Sequence, residues 1–138
     1  MISLDRKYLQ VMMETGYIFM GMRRFKEARA MFEGLAALVP GSEVPFVALG
    51  NVDFCENRLL QAIKHYRQAL KLDPESLFAK VYMGEALIFV GEREKGMALL
   101  NDVAKADRGG AGDFARALRD TVTHGFVPPE QRKAGRAS

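Results

Sequence analysis

Few side chains in this sequence could carry catalytic, redox or metal chemistry, and their spacing speaks against each. Cys55 is the one cysteine. A redox or nucleophilic thiol needs a partner such as the second cysteine of a CxxC pair, and none exists, so Cys55 is expected to be a small buried apolar group. A lone cysteine forms no internal disulfide, which suits a reducing compartment. His65 and His124 are far apart and neither falls in a metal-ligand spacing; His65 reads as a surface residue of a helix. The run Gly109-Gly110-Ala111-Gly112 lacks the lysine and the serine or threonine of a phosphate loop and follows a helix, so it reads as a linker. Glu92-Arg93-Glu94-Lys95 reads as a solvated helix start. The expectation is a protein without catalysis, metal or cofactor.

The chemistry that remains is that of apolar contact. Large apolar and aromatic residues recur at helical spacing on one set of helix faces. These are Gln10, Met13, Glu14, Tyr17 and Met20, then Val44, Val47, Ala48, Asn51, Phe54 and Cys55, then Phe78, Val81, Tyr82, Glu85, Ile88 and Phe89. A solvated face is mostly charged, and here Glu14 and Glu85 carry the only charges. From this set the candidate partner-binding residues are Met13, Tyr17, Met20, Val47, Asn51, Phe54, Phe78, Tyr82, Glu85 and Phe89. Aromatic residues are enriched where interfaces bind tightly, which favours Tyr17, Tyr82 and Phe89 as contacts. Met13 and Phe78 read instead as those most suited to ordinary core. The methionines of the first helix could adapt to several ligand shapes.

Those faces must be held by a repeated scaffold, and the repeat is legible. Gly16, Gly50 and Gly84 stand 34 residues apart. After each comes a small residue (Ala28, Ala62, Gly96), then a large apolar one (Phe32, Tyr66, Leu100), then Leu35, Ala69 and Val103. Pro40 and Pro74 close the first two copies in phase, and Arg108 stands at the third position. Gly21, Asn57 and Gly91 are read as punctuation between the halves of each copy. Small residues let two helices approach, large ones fill the space between pairs, and proline ends a helix. The spacing predicts helix pairs near 5–21 and 25–38, 44–56 and 59–72, and 77–90 and 93–106. Asp113 is read as the cap of a seventh helix, 114–124, whose Phe114, Ala117, Leu118 and Val122 share one face.

This pattern resembles the tetratricopeptide repeat over Leu9 to about Arg108. The resemblance implies an all-α fold, three helix-turn-helix repeats (about 9–42, 43–76 and 77–108) in a short right-handed superhelix, with a capping helix over 113–124 and the whole domain spanning 1–124. In such arrays the first helix of each pair lines a concave binding surface. The segment 125–138 is expected to be a disordered tail. Asp53, where a large apolar residue is usual, and Leu35, where alanine is usual, depart from the pattern. The five positions that would carry a carboxylate clamp for acidic chaperone C-termini are Met13, Tyr17, Ala48, Phe78 and Tyr82, none basic and none asparagine, so that clamp is not expected.

Within the superfamily the chain resembles the small chaperones of bacterial type III secretion systems. The matching residues are Arg24-Phe25-Lys26-Glu27-Ala28 running into Met31-Phe32-Glu33-Gly34-Leu35, Phe46-Val47-Ala48-Leu49-Gly50, and Ala62-Ile63-Lys64-His65-Tyr66. The segment Asp113-Phe114-Ala115-Arg116-Ala117-Leu118 resembles the end of the needle-subunit chaperones. The resemblance implies a cytoplasmic holdase whose partner is a secreted needle or translocator subunit, with or without a second small chaperone. A generic scaffold in another assembly is the alternative. A homodimer would be one way to cover an unoccupied apolar groove.

Composition is compatible with this. The 138 residues carry a net charge of +3, and Arg132, Lys133 and Arg136 near the end supply much of it. No basic stripe with interleaved aromatics exists, so nucleic acid is not expected as a partner. Apolar runs such as 86–90 are too short for membrane insertion. No secretory signal is read in residues 1–7.

Overall fold

The computed structural model describes residues 5–129. Its described residues form α1 (Arg6–Gly21), α2 (Phe25–Leu38), α3 (Val44–Cys55), α4 (Leu59–Leu72), α5 (Leu77–Phe89), α6 (Arg93–Ala106) and α7 (Gly110–Thr123). The first six lie within a residue of the spans read from the repeat. Local signals set their ends. The Asp5 carboxylate accepts from the Lys7 N–H at 2.9 Å and caps α1. The Ser76 hydroxyl accepts from the Ala79 N–H at 3.3 Å and caps α5. Pro45 sits in the first turn of α3, where its missing N–H costs no helix bond.

The turns inside the three pairs repeat with the sequence period. Arg23, Asn57 and Gly91 take positive φ values of 60°, 61° and 97°. At each, the next amide reaches back over the end of the preceding helix: Arg24 N–H to Phe19 C=O, Arg58 to Asp53 and Glu92 to Leu87, all at 2.8 Å. This is the Schellman closure, which satisfies carbonyls orphaned at a helix end. The punctuation therefore falls at Arg23 rather than Gly21, two residues later than the sequence suggested, because the left-handed position and not the glycine defines the phase.

Helix crossings explain the spaced glycines. A methyl group at Gly16 would overlap the Phe32 ring, and one at Gly50 would overlap the Tyr66 ring. In the third pair the backbones themselves meet: a Cβ at Gly96 would lie 2.6 Å from the Gly84 carbonyl. Phe32, Leu35, Tyr66 and Leu100 are accordingly sealed from solvent, each such burial stabilising by about 1.5–3 kcal/mol. Leu35 fits beside Phe32, Ala48 and Val52 in the core joining the first two pairs. The core continues through Ile63, Tyr66 and Leu87, and then through Val81, Ile88, Leu100 and Val103 to Ala111, Ala115 and Val122 of α7.

Two departures concern α7. The helix starts at Gly110, so the glycine run is its first turn and not a linker. The cap is the Asp107 carboxylate, which accepts from the Gly112 N–H at 2.8 Å, while Asp113 pairs with Arg116 at 2.7 Å. Glycine is needed at 112 because a side chain there would strike the Asp107 carbonyl. The segment expected to be loose from 125 onward falls partly on described residues, and there Phe126 packs against the Phe89 ring at 6.0 Å and Pro128 is buried. Residues 130–138 lie outside the described residues.

Asp53 is accommodated by charge. It is 1% exposed and receives Arg29 at 2.7 Å on one oxygen and His65 Nδ1 at 2.5 Å on the other. Arg29 also reaches Glu56 at 2.8 Å. A buried carboxylate is tolerated when both oxygens find such partners. His65 is thus a tie between α3 and α4 rather than a free surface residue, and α2, α3 and α4 are pinned together at one point.

Candidate protein-binding groove

The first helices of the three pairs, α1, α3 and α5, bound an open cleft. It holds a cavity of about 300 Å³ lined by Met13, Tyr17, Glu43, Val44, Val47, Ser76, Phe78 and Tyr82. A smaller cavity of about 190 Å³ continues between α1 and α3, against Leu9, Gln10, Leu35, Val39, Ser42 and Pro45. Five of the ten candidate residues, Met13, Tyr17, Val47, Phe78 and Tyr82, share the larger cavity. Phe78 was expected in the core but is 51% exposed.

Aromatic packing sets the walls. Phe78 stacks on Tyr82 at 6.0 Å, one helical turn away on α5, and Phe114 of α7 meets the same Tyr82 ring edge-on at 5.8 Å. The capping helix therefore braces the groove wall. At the other end Phe54 and Phe89 pack edge-to-face at 5.1 Å, and Phe126 continues that row. Such pairs stiffen side chains that would otherwise lose rotamer entropy on binding.

Between the two aromatic ends lies a row set by the repeat itself. Tyr17, Asn51 and Glu85 each follow a spacing glycine and so hold the same place in successive pairs. The Asn51 side-chain amide donates to the Tyr17 hydroxyl at 3.2 Å, and the Tyr66 hydroxyl donates to the Asn51 carbonyl at 2.7 Å. This chain of bonds ties α1 to α3 and α4 across the groove floor. Burial, opposed by the Asn51 bond, raises the Tyr17 phenol above its usual value. Burial raises Tyr66 much further and Tyr82 as well, so both stay neutral hydroxyls. Glu85 ends the row, and burial pushes its carboxyl up to about 7.

Other candidates stand apart. Met20 packs into the core joining the first two pairs. Of the wider face, Ala48, Val81 and Ile88 are buried core and not groove, because they fall on the flank that meets the partner helices. Cys55, expected to be buried, is exposed; partial burial and the nearby Glu85 carboxyl hold its thiol above the ordinary value, which favours the protonated form. Three lining residues escaped the candidate set: Val44, which only the wider face included, and Glu43 and Ser76, which precede α3 and α5; Phe114 of α7, which braces Tyr82 from behind the wall, was not among the candidates either. Helical periodicity gives no signal for residues just outside a helix, nor for which face of a cap meets the groove. Among the described residues no cluster of three metal-ligating side chains exists. No described helix is long and apolar enough to cross a membrane.

Comparison with known proteins agrees with this architecture. Residues 56–120 match the tetratricopeptide repeat family model. No curated protein matches the sequence. Several solved structures are similar. The type III secretion translocator chaperone SycD of Yersinia enterocolitica shares 14% identity at a TM-score of 0.74, covering 85% of this chain and 91% of that one. PcrH, from Pseudomonas aeruginosa, in complex with the chaperone-binding region of PopD shares 17% identity at 0.72, covering 88% and 96%. The first tetratricopeptide domain of Spaghetti bound to an HSP90 peptide shares 15% at 0.74, covering 90% and 97%. At these identities the likeness is one of fold: the chain has the all-α tetratricopeptide-repeat architecture.

Proposed function

From that architecture we propose that this chain is a non-catalytic chaperone of a type III secretion system, holding a needle or translocator subunit in its concave groove before export. The observation that carries the reading is the open cavity of about 300 Å³ walled by Met13, Tyr17, Val47, Phe78 and Tyr82. Apolar surface of this kind, left in water, favours a partner that covers it. The similarity of fold to SycD and to PcrH with its PopD segment supports a secreted subunit as client. Such a holdase acts in the cytoplasm, before the client leaves it. Spaghetti shows the same fold serving a different assembly, and a scaffold that joins subunits of another complex is the second reading.

A homodimer belongs to the same proposal. The outer face of α1 and the residue after it present Tyr8, Val11, Ile18 and Met22 to solvent, and a second copy would cover them without filling the groove.

The test is purification of the tagged chain from its native host, with mass spectrometry of what accompanies it. A stoichiometric secreted subunit that is insoluble alone and soluble with this chain is the expected result. A second small chaperone in the same complex would appear in the same spectrum. Recovery of an assembly that is never exported would favour the scaffold.

A further inference from the structure

The groove is apolar but not neutral, and its charge has one sign. Among the described residues Glu43 is the one formally charged residue lining the cavity of about 300 Å³. Glu85 lies one helical turn beyond Tyr82 on α5, in the row begun by Tyr17 and Asn51. Tyr17 and Asn51 are hydrogen-bonded to each other and to Tyr66, but Glu85 forms no ion pair with a described residue. The titratable groups that it faces are Cys55 of α3, Tyr66 of α4 and Tyr82 of α5, none of them a cation. Arg23 acts on Cys55 and stacks on the Phe25 ring at 5.4 Å. A half-buried carboxylate without a cation beside it leaves a charge unmatched, and a cation brought into the groove would match it.

We propose that Glu85, with Glu43 at the cavity wall, makes the groove selective for an apolar segment carrying a lysine or arginine. This rests on the groove being the client site and adds the client's chemistry. The apolar residues of the segment fill the cavity among Met13, Val47, Phe78 and Tyr82, and its cation pairs with Glu85. Aromatic rings at Tyr82 and Phe89 flank that position on α5 and suit a guanidinium or ammonium stem. The selectivity is opposite to that of a groove built for acidic peptides. Because burial holds the Glu85 carboxyl near neutrality, a bound cation favours its ionised form. Binding of a cationic segment therefore strengthens as pH rises from about 6 to about 8.

The test uses the full chain and a displayed library of short random peptides, selected in parallel on the wild type, Glu85→Gln and Tyr82→Ala. The wild type is expected to enrich apolar peptides with a recurrent lysine or arginine. Glu85→Gln is expected to keep the apolar pattern and lose the cation. Equal lysine and arginine content in these two pools overturns the proposal while leaving the groove intact. A wild-type pool without any enrichment, or one unchanged by Tyr82→Ala, overturns the groove reading itself. The best wild-type peptide is then compared with the same peptide carrying methionine in place of its cation. An affinity ratio of about tenfold at pH 8 that shrinks toward about pH 6 is the expected result; a ratio unaffected by pH or by Glu85→Gln sinks the pairing. Circular dichroism of the near-isosteric Glu85→Gln variant shows that it folds.

Discussion

Asp53 and Glu85 are both acids held away from solvent, and they should behave in opposite ways. Asp53 meets Arg29 and His65, so removing it takes away the one group that joins them and leaves Arg29 with Glu56 alone. Asp53→Ala is expected to destabilise the fold by roughly 1–3 kcal/mol, read as a lowered urea midpoint with unchanged slope. Glu85 meets no such partner among the described residues, and burial raises its folded carboxyl to about 7. The folded state then binds a proton that the unfolded chain releases at ordinary carboxylate pH. Stability from this group is present at low pH and is lost as pH rises between about 4.5 and about 7, on the order of 3 kcal/mol in full. Glu85→Gln should flatten that slope in pH-resolved urea melts of the free chain; a wild-type curve already flat across that window would show a solvated carboxyl. In the groove, Tyr82→Ala and Phe89→Ala should each weaken client binding by about 1–2 kcal/mol, measured by calorimetry with the co-purified subunit. Unchanged affinity in both would remove the groove from the account. The sequence showed Glu85 as a rare charge on an apolar face. It could not show what Asp53 was doing, since Arg29 and His65 reach it across helix boundaries and cross-helix pairing leaves no periodic trace.

Among the helices, the repeat makes most of the architecture readable, because each spaced glycine marks a crossing where a side chain does not fit. At Gly16 and Gly50 the obstacle is an aromatic ring, which can shift; at Gly96 it is the Gly84 backbone. Gly96→Ala should therefore force α5 and α6 apart and destabilise by about 1–3 kcal/mol, with no neighbouring rotamer able to relieve it. A thermal melt within error of wild type would mean that the pair slides freely. The same steric reasoning explains what was misread at α7. A run of glycines looks like a linker to any composition argument, whereas here the short side chains are what allow the first turn to abut the Asp107 carbonyl. Likewise Gly21 looked like the turn of the first pair, but an arginine at 23 takes the left-handed position that Asn57 and Gly91 hold in the other two. Residue type alone misplaces such a turn; the period of 34 locates it.

For the molecule as a whole, the two faces of α1 are unequal. Its inner side contributes Met13 and Tyr17 to the groove, and Gly16 is its one buried residue. Its outer side carries Tyr8, Val11, Ile18 and Met22, with Ile18 61% exposed. Their intervals of three, seven and four residues follow a heptad seam broken only by Thr15, a pattern that can mate with its own copy about a two-fold axis. The three-repeat period is blind to this stripe, because only one of the three first helices is left without a neighbouring pair on that side. A dimer formed there leaves the groove on the opposite side of α1 open, so self-association and client binding are separable. Ile18→Glu places a charge at the centre of the seam. It should convert a dimer of the free chain to monomer in sedimentation equilibrium while leaving client affinity unchanged. Loss of client affinity together with the dimer would instead mean that the two copies build one groove between them, and a wild-type chain already monomeric would leave the stripe to the client.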